Sequence, residues 1–160
     1  MSGPAESAGT GSSADPREQL AAELSALVEQ LTNLLRPMQD DIRMMDANYK
    51  QAHGFANKIG KLIRTRVFSE DGFLDPAAYD KALAGFNKAT ALESDEYEVY
   101  SDDLDYLRKL RNQGPRLSGR DEDNRTIVRA RRLYVETLRG FLTQASSICV
   151  YLKQAPSSSA

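Results

Sequence analysis

The chain has one cysteine, one histidine and no tryptophan. A single thiol, Cys149, leaves no internal disulfide to form. It sits in the apolar run Ile148-Cys149-Val150-Tyr151-Leu152, where a small buried hydrophobe is expected rather than a reactive nucleophile. A single histidine, His53, rules out a His/Cys zinc cluster and a His-Glu-x-x-His helix. Glycine-rich phosphate loops and serine nucleophile elbows are also missing. No apolar run approaches the length of a bilayer span, and no basic-then-apolar secretory signal opens the chain. The formal net charge of -2 provides no field that would draw the whole chain to nucleic acid or an anionic membrane. Together these absences point away from an enzyme. No catalytic residue, metal or cofactor is expected, and a reducing, cytoplasmic setting fits.

The chain does contain a long apolar seam. From Leu24 to Ile63, apolar side chains recur in alternating steps of four and three: Leu24, Val28, Leu31, Leu35, Met38, Ile42, Met45, Tyr49, Ala52, Ala56, Ile59, Ile63. This is the heptad pattern of a helix that lays one stripe against other helices. Leu27, Leu34, Phe55 and Leu62 widen the stripe, which suits a bundle better than a bare two-stranded coil.

Residues 1–14 are rich in Ser, Gly, Ala and Pro, and residues 155–160 carry Pro156 and three serines. Both read as disordered tails flanking a helical unit over 15–154. Asp15-Pro16 and Asp75-Pro76 each read as an N-cap followed by proline at the first helical position. The heptad phase passes through Pro37 unbroken, so the leading expectation is one first helix to about Arg66 with a kink at the proline, and the alternative is a break there into two helices. A second stretch carries Tyr79, Leu83, Phe86, Ala89 and Leu92, then Tyr97, Tyr100, Leu104, Leu107 and Leu110. Two seam positions between these groups, Thr90 and Glu93, are polar, so one helix and two helices both fit. Asn112-Gln113-Gly114-Pro115 stops the stretch. The last helix, to about Gln154, has the stripe Ile127, Tyr134, Leu138, Phe141, Ala145, Ile148 and Leu152, with Arg131 at its one polar step.

The expected fold is all-α: an antiparallel three- or four-helix bundle with coiled-coil-like packing and one very long, kinked first helix. A continuous first helix would reach about 75 Å and overhang its partners. Either a kink folds the overhanging arm back onto its own bundle, or, as the leading expectation, Leu20, Leu24, Leu27, Leu31, Leu34 and Leu35 are a surface for a protein partner, another copy or a different chain. The leading expectation is a non-enzymatic scaffold or assembly subunit working through coiled-coil-type association.

Two alternatives rest on particular residues. The segment Ala52-His53-Gly54-Phe55-Ala56-Asn57-Lys58 resembles a histidine phosphotransfer domain. The resemblance implies an antiparallel bundle and a partly exposed His53 that a receiver domain can reach. The lysine and glycine expected three and four residues after the histidine are here Ala56 and Asn57, with the lysine displaced to Lys58. The second alternative is contact with nucleic acid or an anionic surface through Arg116, Arg120, Arg125, Arg129 and Arg132, though interleaved acids dilute that field. Asp40-Asp41 and similar acid pairs read as solvated faces or helix starts.

Overall fold

A computed structural model describes residues 15–69, 74–112 and 120–154, and all of its regular structure is helical. Helix α1 spans Pro16–Asp40, α2 Ile42–Leu62, α3 Pro76–Asn112 and α4 Arg120–Lys153, with one π-helical turn over Ile63–Val67 after α2. The two expected disordered tails, 1–14 and 155–160, lie outside the described residues.

The long first helix is instead two helices. Asp41 adopts an extended backbone (φ -138°, ψ 115°), and the chain reverses there. A continuous helix would hold Glu23 and Arg66 about 65 Å apart. Here Arg66 Nη1 lies 3.5 Å from Glu23 Oε1. The break falls four residues after Pro37, which stays inside α1 and accepts the Asp41 N–H on its carbonyl at 3.1 Å. Asp41 then caps α2, its Oδ1 accepting the Arg43 N–H at 2.9 Å.

Heptad phase could not reveal this turn. When an up-down pair buries both stripes in one core, a one-residue break leaves the count of fours and threes intact. Ile42 alone leaves the pattern: in the first turn after the reversal it is 58% exposed.

The four helices run alternately up and down. Arg17 Nη1 donates to the Gln154 carbonyl at 2.6 Å, joining the start of α1 to the end of α4 and placing a cation at a helix C-terminus. Ser25 Oγ lies 3.7 Å from Cys149 Sγ farther along the same pair. Burial pushes the Cys149 thiol up, against the opposing effects of Ser25 and Lys153. Phe68 packs edge-on to Tyr79 and Phe86 where the π turn meets α3, and Phe86 meets Phe141 of α4 at 6.0 Å. α1 and α3 have no Cα pair within 8 Å among the described residues, so they occupy opposite corners of the bundle. α3 is one unbroken helix, as is α4.

The core follows the apolar seams closely. Leu24, Leu31, Met45, Tyr49, Ala52 and Ile59 are buried from the first two helices, and Ile63 from the π turn. Tyr134, Leu138, Phe141, Ala145, Ile148 and Leu152 are buried from the last. Each fully buried Leu, Ile or Phe contributes roughly 1.5–3 kcal/mol. Besides Ile42, one more apolar residue read into a seam faces solvent: Leu92, whose neighbour Glu93 faces the core.

Candidate functional site

The polar seam positions meet in the middle of the bundle. Asp46 of α2, Tyr100 of α3 and Arg131 of α4 form one cluster. Arg131 donates through Nε to Asp46 Oδ1 at 2.9 Å and through Nη2 to Oδ2 at 2.7 Å, a bidentate pair. The Tyr100 hydroxyl donates to the same carboxylate. Burial opposes ionisation of Asp46. The hydrogen bonds from Arg131 and Tyr100, with the guanidinium charge, outweigh it and hold the carboxyl below its ordinary range. Burial, and then the Asp46 carboxylate, pushes the Tyr100 phenol well above its ordinary range.

A second cluster lies next to it. Glu93 of α3 is 2% exposed, and its Oε2 accepts from the Tyr134 hydroxyl of α4 at 2.7 Å. His53 Nδ1 of α2 lies 2.7 Å from the same oxygen. The His53 ring stacks on Tyr97 at 3.8 Å between centroids, and its Nε2 lies 3.3 Å from Asn57 Nδ2. Burial, then the Glu93 charge and hydrogen bond, pushes the Tyr134 phenol far up. Tyr49, Tyr97, Tyr100 and Tyr134 pack together, with centroid separations from 4.6 to 6.0 Å. The layer fixes register. Sliding one helix past another would leave a buried carboxylate or guanidinium unpaired, at a cost of several kcal/mol.

The structure places the other sequence candidates as follows. Leu20, Leu24, Leu31 and Leu35 are buried in the chain's own core, while Leu27 and Leu34 are partly buried against it. With the chain reversed at Asp41, no arm overhangs. His53 is 21% exposed, and each of its ring nitrogens has a partner within the chain. A phosphoryl group on either nitrogen would displace Glu93 or Asn57. Arg125, Arg129 and Arg132 are exposed on α4 and line a shallow pocket with Val128. Arg120 falls in the first turn of α4, and Arg116 lies outside the described residues. Among the described residues, no group of three His, Cys, Asp or Glu side chains could hold a metal ion. No helix there is long and apolar enough to cross a membrane.

One surface was missed in the sequence reading. Leu92, Val99 and Tyr106 recur every seven residues on the outer face of α3 and are 45%, 48% and 55% exposed. Acids flank them in the same period: Asp95 and Asp102, Glu96 and Asp103, Glu98 and Asp105. No basic residue occurs between 95 and 105. Partial burial, then the adjacent Asp102 charge, pushes the Asp103 carboxyl up. The signal that would have found this stripe is the heptad spacing of Leu92, Val99 and Tyr106, one residue out of phase with Glu93.

The chain matches no protein-family model, no curated protein and no solved structure.

Proposed function

We propose that this protein is a non-enzymatic helical scaffold or assembly subunit that works by coiled-coil-type association with another protein surface. The observation that carries this reading is the heptad-spaced stripe Leu92, Val99 and Tyr106 on α3. The inner face of α3 fills the core, so the bundle does not need this second stripe for its own packing. Three large apolar side chains left half in water at coiled-coil spacing are what a partner helix would cover. The buried polar layer supports the reading from within: it holds α3 in one rotational setting, so the stripe faces outward as a fixed ridge.

A photo-crosslinking amino acid at Val99 tests this. Irradiation in the native cell extract should give one discrete protein adduct whose yield collapses when Leu92→Asp is added. A smear insensitive to Leu92→Asp, or no adduct, contradicts the proposal.

A further inference from the structure

The acidic ridge on α3 has a counterpart on the same chain. On α4, Arg125, Arg132 and Arg139 recur every seven residues, in step with Val128 and Val135. Arg129 adds a further exposed charge, and Glu136 is the one acid between 124 and 139. Beside this row lies a groove of about 360 Å³ whose lining carries Asp40, Asp41 and Glu136 as well as Arg132 and Arg139, around the apolar Ile42, Val128 and Val135. Ile42 and Val128, both more than half exposed, form its apolar lip. α3 contributes no residue to the groove, which is built from α1, α2 and α4. The ridge and the groove therefore lie on different faces of the bundle, and one molecule cannot close its own ridge onto its own groove.

We infer that the occupant of the α3 ridge is a second copy of this chain, docking through the surface that Arg125, Val128, Arg129 and Arg132 form on α4. The inference deepens the proposed function and rests on it. Its basis is complementarity in three respects at once. Both faces repeat at seven residues, the period at which two helices keep one seam in contact. Both carry apolar side chains along that seam, Leu92, Val99 and Tyr106 on one and Val128 and Val135 on the other. Their flanking charges are opposite along the first part of the α4 row, six acids between 95 and 105 against Arg125, Arg129 and Arg132, whereas Arg139 shares the groove lining with Asp40, Asp41 and Glu136. Ridge on ridge would set acid against acid, which excludes a symmetric dimer through α3. Ridge in groove is heterologous, so each bound copy offers a fresh ridge and a fresh groove, and the assembly grows into a ring or an open filament. It also relieves the repulsion between Asp102 and Asp103, which share the ridge.

Charge exchange tests this on the full chain, with mass read by sedimentation and light scattering and folding checked by circular dichroism. Wild type should gain mass with concentration beyond a dimer, and less so at high salt. Asp95→Lys with Asp102→Lys lowers the ridge from six negative charges to a net of -2, and Arg125→Glu with Arg132→Glu cancels the four arginines of the other face. Each double variant should self-associate at least about tenfold more weakly than wild type while keeping full helicity. An equimolar mixture of the two should recover association, because each supplies the face the other lacks. Four results overturn the inference: a monomeric wild type up to about 1 mM, mass that stops at a dimer, a mixture that stays monomeric, or a labelled DNA duplex occupying the Arg125/Arg132 face in place of a second copy. A discrete Val99 adduct to a different protein, with no self-association, overturns the self-docking inference and leaves the association proposal standing.

Discussion

Replacing Asp46 with alanine is expected to destabilise the bundle by about 2–3 kcal/mol, well above the cost of an ordinary surface substitution. The substitution strands the Arg131 guanidinium, whose side chain is 14% exposed, and removes the acceptor of the Tyr100 hydroxyl. Breaking a fully buried pair costs 3–5 kcal/mol; the residual exposure of Arg131 and Asp46 lowers that figure here. The companion variant, Asp46→Leu with Arg131→Met, removes both charges and should lie closer to wild type than Asp46→Ala does. Urea titrations of wild type and these two variants provide the check. Equal losses for the single and the double variant would mean that the pair stabilises the fold directly, and that a stranded charge is not the source of the loss.

Alkaline pH is expected to unfold this protein steeply, because of Tyr100 and Tyr134. Both are fully buried, and both phenols are pushed up, first by burial and then by the carboxylate each one faces. Below about pH 10 they are protonated in folded and unfolded chains alike, and their contribution is unchanged. Above it the unfolded chain releases two protons that the folded chain keeps. Stability then falls with rising pH by about 1.4 kcal/mol per unit for each tyrosine, or about 3 kcal/mol per unit for the two. A domain of ordinary stability would be lost within a few pH units. Asp46 acts at the other end of the scale. Its carboxyl is held below the ordinary range, so its contribution is present at neutral pH and is lost as pH falls through the folded value. Denaturant titrations from pH 9 upward should show the alkaline slope. Tyr100→Phe and Tyr134→Phe should each flatten it by about half. A slope untouched by either change would place the alkaline transition elsewhere.

Much of the fold can be read in the sequence because helix seams obey a period. The α4 stripe from Ile127 to Leu152 is buried as expected, and Asp15 and Asp75 accept the helix N–H groups that their Asp-Pro contexts imply. The number of helices could not be read this way. A turn made at one residue, Asp41, keeps the apolar phase, and Pro37 draws attention to the wrong place. Glu93 and Arg131 were visible as polar steps in apolar seams. Their partners, His53 with Tyr134 and Asp46 with Tyr100, are set by which helices become neighbours, and spacing along one helix carries no such information. The α3 ridge was overlooked for a related reason. Leu92 sits one residue from a seam position, and assigning an apolar residue to the core is the cheaper reading until Glu93 is seen to take the inward place.

The account stands or falls on the outer face of α3 serving association and not folding. The most direct measurement compares hydrodynamic mass and helicity of wild type with Leu92→Asp/Val99→Asp. The account predicts that wild type associates, and that the variant is a monomer with unchanged helicity and unfolding midpoint. A variant that unfolds, or one that assembles as wild type does, would contradict it.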